Sequence, residues 1–242
     1  LELRIDGNIQ LNNSNYNASS ASRHKLTLKG DFIQTPTNSF ELSNTFSNTN
    51  SIQNNYLNLV GTDLQTIQLG TSQLGACEVM LNNPMGILLN TDLKINDNSK
   101  FRIKRGVISG IGNLNYSGIN NQLIYDSIPE FITNREWPID ANIGEVIIML
   151  SPGRQIQLTE NKSTDTLHLV TGNLLLDNFN LAVGKKLNYT QATPTATGNL
   201  IIQNGTGRFT QSIKPTATPV NYSFPIGHFN SDNSPVSNSL LF

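Results

Sequence analysis

Apolar and polar residues alternate along most of this chain with a period of two, in short runs rather than long ones. The early runs are Leu1-Glu2-Leu3-Arg4-Ile5, Lys25-Leu26-Thr27-Leu28 with Phe32 beyond Gly30-Asp31, and Phe40-Glu41-Leu42. The pattern continues through 57–69 and returns over 167–183, where Leu167, Leu169, Leu174, Leu176, Leu181 and Val183 share one parity within each run. Period-two alternation puts one face of a strand inward and the other outward. No helix-length apolar period interrupts it, so the predicted class is all-β, and those six residues are predicted to point into a core. The polar stretches 11–22 and 43–55 read as loop excursions.

Two segments, about 79–110 and 146–184, resemble each other at an offset of about 66 residues, with Gly106 and Gly172 in equivalent places. A unit of that length holds about three coils of roughly 20 residues each. One coil cannot bury its own inward residues, whereas stacked coils pair their backbone edges and share a continuous core. The architecture expected is therefore a parallel β-helix (β-solenoid) with surface loops, with tandem β-sandwiches as the alternative. The expected organisation is one elongated solenoid over 1–242, with repeat units at 57–120 and 121–187. Residues 188–242 would be final coils leading toward a following domain. Both ends read as cut points in a longer chain, with uncapped coil edges. The stretch 120–145 departs from the pattern at Ile128–Pro138 and reads as a surface loop packed on the stack.

Composition narrows the function classes. Charged residues make up 14% of the chain and the net charge is −1, so polarity comes from Asn, Ser, Thr and Gln, with 34 Asn. Asn and Gly suit tight turns, and stacked Asn side chains can hydrogen-bond along a ladder. No basic stripe is present to neutralise phosphates, so nucleic-acid binding is not expected. The longest apolar runs, such as Val146-Ile147-Ile148-Met149-Leu150, are strand-sized, so no membrane insertion is expected. The single Cys77 allows no intrachain disulfide and reads as a small buried apolar residue.

The runs Leu26–Phe32, Gly61–Leu69, Leu81–Ile95 and Gly172–Gly184 together carry a resemblance. So does Asn204-Gly205-Thr206-Gly207-Arg208-Phe209-Thr210, followed by Tyr222-Ser223-Phe224-Pro225-Ile226-Gly227 and Pro235-Val236. The combination resembles the repeat region of large surface proteins of Bacteroidetes-type bacteria. The resemblance implies a right-handed parallel β-helix in a long, secreted adhesin-like protein of the cell surface, exported by the type IX route. In that group Asp126-Ser127-Ile128 and Asp165-Thr166-Leu167 are similar to the O-glycosylation signal, which would place sugars on Ser127 and Thr166.

Candidate chemistry is thin. His24, His168 and His228 have no metal-ligand spacing. His168 alternates with Leu167 and Leu169 and should face outward. Asp92, Asp97 and Asn98 are a weak candidate for a casual cation site. The best cluster is Asp126, Glu130, Arg135, Glu136 and Trp137, with Asp140 beside it, where an indole could stack on a sugar ring and carboxylates could bind its hydroxyls. Neither catalysis nor any metal or cofactor is expected. The leading functional expectation is a non-enzymatic stalk or adhesive segment outside a bacterial cell. Its partners would be surface polysaccharide, the flanking domains of its own chain, and further copies of itself. The alternatives are a carbohydrate-binding or carbohydrate-cleaving β-helix, and a self-assembling fibre or sheath subunit joined through open coil edges.

Overall fold

The computed structural model describes residues 2–11, 16–17, 25–34, 40–41, 55–69, 77–129, 131–139, 143–189, 199–213, 223–229, 235–237 and 240–241. Among them there is no helix, and strands in successive coils pair parallel to form a β-solenoid. Contacts divide the chain into two units, Leu1–Ile124 with Asn134–Pro138, and Tyr125–Thr133 with Ile139–Phe242.

In the first unit, Glu2–Ile5, Lys25–Leu28, Tyr56–Leu59, Glu78–Asn82 and Lys100–Arg105 lie side by side and parallel. A second sheet takes Ile9–Leu11, Phe32–Gln34, Gln65–Leu69, Ile87–Leu89 and Ile108–Gly110. The register steps 22 residues from Leu57 to Val79 and 22 again to Phe101. That is the coil length behind the offset seen in the sequence. The step from Leu26 to Leu57 is 31, and the extra length falls between Gln34 and Asn55, where an excursion is expected. The stretch 11–22 is not all loop, however, because Tyr16–Asn17 pairs parallel with Phe40–Glu41.

Register turns the alternation into continuous rows. Leu28, Leu59, Leu81 and Ile103 face one another in succession and each is fully buried. Full burial of a Leu or Ile side chain is worth about 1.5–3 kcal/mol, and here it is reached only because a coil lies on each side.

The second unit repeats the plan. Glu145–Met149, Lys162–Thr171, Leu181–Tyr189 and Phe209–Gln211 make one parallel sheet. Phe131–Ile132, Gln155–Gln157, Asn173–Leu175, Ile201–Ile202 and Ile226–Phe229 make the other. All six residues predicted to point inward are at most 1% exposed. Among the described residues the parallel rule is broken where Ile226–Phe229 pairs with Pro235–Ser237 and Ser223–Phe224 with Leu240–Leu241, both antiparallel.

Gly106 and Gly172 do occupy equivalent corners, each joining a long strand to the second sheet of its unit, with φ of 87° and 92°. A Cβ on Gly106 would sit 2.0 Å from the Asn83 carbonyl oxygen, and one on Gly172 would sit 2.8 Å from Leu150 Cβ. Both corners need the left-handed region and a close approach, which only glycine provides at no steric cost.

Asn, Asp and Gln at the corners bind the neighbouring coil. Asn8 Oδ1 accepts the Asp31 N–H, and Asp31 Oδ1 accepts the Thr66 N–H. Asn161 Oδ1 accepts the Asn180 N–H, and Asn180 Oδ1 accepts the Arg208 N–H. One corner is buried. Gln65 Nε2 donates to Leu28 O (3.1 Å) and Gly30 O (2.8 Å), while its Oε1 accepts from Gly61 N (3.0 Å) and Asn83 Nδ2 (2.9 Å). Asn83 in turn donates to Asp63 O and accepts from Met85 N. Three successive coils are tied through two side chains that are at most 1% exposed.

Candidate functional site

The stretch 126–140 differs from the sequence expectation in its backbone first. It is not a loop laid on the stack throughout, since Phe131–Ile132 is a coil strand with Phe131 facing Ile156. Ile128 and Phe131 are buried. Asn134 to Trp137 form a tight turn, with Trp137 N donating to Asn134 O at 3.2 Å. This turn belongs to the first unit, whereas Asp126 belongs to the second.

The side chains then correct the proposed sugar contact. Trp137 is 0% exposed, so its indole has no open face on which a ring could stack. Glu136 is also 0% exposed, and both its carboxylate oxygens accept the Asn134 N–H, at 2.8 and 3.0 Å. Its backbone carbonyl accepts the Tyr116 hydroxyl at 2.8 Å. Burial, together with the nearby Glu136 carboxylate, pushes the Tyr116 hydroxyl pKa well above its ordinary value. Arg135 is half-buried and fastens the turn to the preceding coil, donating to Asn113 Oδ1 (3.0 Å) and the Gly112 carbonyl (3.4 Å). The pattern that suggested a sugar site therefore builds a packed turn. Glu130 and Asp140 lie outside the described residues.

Asp126 is half-buried and accepts the Ser127 hydroxyl at 2.8 Å. Ser127 is exposed, with φ of 60°, and its N–H is held by Met149 O. Thr166 is half-buried within the strand Lys162–Thr171, with its N–H on Gly144 O. Of the two candidate glycosylation positions, Ser127 is thus the more open.

The remaining polar candidates have structural work. Asp92 Oδ1 accepts the Asn113 N–H, Asp97 Oδ1 accepts the Ile119 N–H, and Asn98 accepts from the Asn120 amide. Among the described residues no three His, Cys, Asp or Glu side chains are grouped to hold a metal ion. Cys77 is 3% exposed, and burial pushes its thiol up to about 12, so it is no nucleophile near neutrality. His24 lies outside the described residues.

Sequence reading missed three features. His168 faces outward as expected, but it pairs with Glu145 on one neighbouring strand and contacts Asn188 on the other. A charged pair also bridges adjacent strands, with Arg102 Nε meeting Glu78 Oε1 at 2.5 Å. Lys162 takes an inward position in register with Leu181, and its ammonium, 0% exposed, meets Glu160 at 2.5 Å. Spacings of about one coil between opposite charges, as in Glu78 and Arg102, were the available signal. Lys162 gave none, because a polar residue inside a strand reads as outward.

Among known proteins, no family model, no curated sequence and no solved structure matches this chain.

Proposed function

We propose that this chain is a structural segment of a bacterial cell-surface adhesin or filament, a stalk or adhesive part that acts by projection and multivalent attachment. One observation carries the reading: the Asn, Asp and Gln side chains that would furnish a polar site instead accept or donate hydrogen bonds to the next coil's backbone. Among the described residues, neighbouring coils within each unit are thereby bonded at several corners as well as along their strands. A stack joined this way transmits load through many parallel bonds, and many weak surface contacts along it add by avidity. On this reading the segment is extracellular, its partners are surface polysaccharide and the flanking parts of its own chain, and it has no catalytic role.

The test is immunogold labelling of the producing cells with an antibody against this segment. Labels strung along thin filaments away from the envelope support the reading. Labels confined to the envelope, or recovered only with a compact soluble protein, overturn it.

A further inference from the structure

The corner that carries Gln65 and Asn83 projects apolar residues as well. Leu64, Met85 and Val107 stand on three successive coils of the first unit, and they are 47%, 57% and 50% exposed. Register sets them close together. Gln65 faces Ile87 and Ile87 faces Ile108, so Leu64, Gly86 and Val107, one residue earlier in each coil, form a row. Gln65 N donates to Gly86 O at 3.4 Å and Ile87 N to Val107 O at 3.0 Å, which ties the row together. A single exposed apolar side chain needs no explanation, but three on neighbouring coils make a continuous strip.

The strip is shaped and held. Gly86, with φ of 80°, has no room for a side chain, since a Cβ there would sit 2.2 Å from Val107 O. A notch is therefore left between Leu64 and Val107. Met85 stands beside it on the turn 83–86, which is closed by Gly86 N on Asn83 O and by Met85 N on Asn83 Oδ1, both at 2.9 Å. Asn83 is fixed in turn by its bond to Gln65 in the buried network. The strip thus loses little freedom when something covers it.

Charge is ordered along it by sign. Asp63 precedes Leu64 on one outer coil of the three, and Arg105 lies two residues before Val107 on the other, while 82–86 between them carry no charge. Both charged side chains are exposed, and among the described residues neither has an ion-pair partner. Both also lie on the flank of the row that leads back to the first sheet. Consider a second copy turned about a two-fold axis that runs along the strand direction past Met85. It reverses the order of the coils and keeps each flank on its own side. Leu64 then meets the second copy's Val107, and Asp63 meets its Arg105, each contact occurring twice. Without the reversal, acid would come to the acid's end and base to the base's.

We propose that the Leu64–Met85–Val107 strip is an interface on which two copies of this chain pair side by side, with the coil stacks of their first units antiparallel. Three side chains cover well under the about 800 Å² per partner that a stable complex buries, so the pairing is weak and is populated only at high concentration. The inference rests on this corner's geometry and not on the stalk reading, and its test uses purified protein, so the two can fail separately.

The test is sedimentation velocity of the full chain over a series from about 10 µM to about 0.5 mM, beside Arg105→Asp and the double variant Asp63→Arg with Arg105→Asp. The expected result is concentration-dependent dimerisation, weakened at least about fivefold by Arg105→Asp and restored by the exchange of charges. Orientation is read by disulfide trapping of Leu64→Cys and Val107→Cys chains, each alone and mixed. The unsubstituted chain, whose Cys77 is 3% exposed, is the blank. The mixture should cross-link at least about fivefold faster than either chain alone, because like positions would lie two coil spacings, about 10 Å, apart, beyond the reach of a disulfide. All four substituted positions are exposed, so the core is untouched. A chain that stays monomeric throughout the series overturns the pairing. So does a dimer indifferent to Arg105→Asp or not restored by the exchange, and so does cross-linking with no preference for the mixture.

Discussion

Gln65→Glu is the sharpest probe of the corners that hold this stack together. The substitution keeps the shape of the side chain and changes only its hydrogen-bonding sense. One oxygen can still accept from Gly61 N and Asn83 Nδ2, but the other replaces an amide that donates to Gly30 O at 2.8 Å and Leu28 O at 3.1 Å. A protonated carboxyl donates to only one of these. Leu28 O retains the Val60 N–H, so the loss at low pH is one bond, about 1 kcal/mol. An ionised carboxylate would face two carbonyl dipoles in a site 1% exposed, so its folded-state pKa must lie above the unfolded value of about 4.3. A raised folded pKa gives no added penalty below about pH 4.3. The penalty then grows by about 1.4 kcal/mol per pH unit until pH passes the folded pKa, reaching at most about 4 kcal/mol at pH 7. Gln65→Leu is the control. It strands the Gly61 N–H and the Gly30 carbonyl at any pH, costing about 2–6 kcal/mol with no slope. The assay is urea denaturation followed by far-UV circular dichroism at pH 4.5, 6.0 and 7.5, with the unsubstituted chain subtracted. A Gln65→Glu difference that stays flat across this range refutes the argument, because it means water reaches the corner and the network is not sealed.

Three further outcomes follow from packing. Trp137→Ala should lower stability by about 3–5 kcal/mol in thermal or urea unfolding, as for a large buried side chain; unchanged stability with weakened polysaccharide retention would restore the sugar-stacking role. Gly106→Ala should cost upward of about 3 kcal/mol, whereas Gly153→Ala, at φ of 75° but with nothing within 4 Å of its added methyl, should cost about 1–2 kcal/mol; equal midpoint shifts would show that the close approach to Asn83 is not real. Lys162→Met should stay within about 1 kcal/mol of the unsubstituted chain while Glu160→Gln is clearly destabilising, since Glu160, 39% exposed, can turn to water when the ammonium is removed whereas the Lys162 ammonium, 0% exposed, keeps its charge when the carboxylate is lost; the reverse order of urea midpoints would mean the ammonium reaches water.

Alternation and punctuation were enough to give the class, the inward residues and the coil. Period two fixes which side of a strand each residue occupies, so Leu167, Leu169, Leu174, Leu176, Leu181 and Val183 could be assigned from the sequence alone. The internal offset of about 66 residues held three coil lengths, because inward residues can form rows only if the spacing repeats. The sequence also marked Gly106 and Gly172, whose equivalence reflects a corner that no side chain can enter.

What it did not determine was the fate of the polar residues. A Trp beside two carboxylates and an arginine reads as a sugar contact when its neighbours are only those along the chain. Residues 111–116, one coil away, decide otherwise by accepting from the Arg135 guanidinium, by donating the Leu114 N–H to Arg135 O, and by donating the Tyr116 hydroxyl to the Glu136 carbonyl. Lys162 likewise became a core residue, although its ion-pair partner Glu160 is only two residues away, because register sets it beside Leu181 in the next coil. Period and turn chemistry are local properties, written in consecutive residues. Burial and partnership across coils depend on register between segments about 22 residues apart, and register exists only once the coils are stacked.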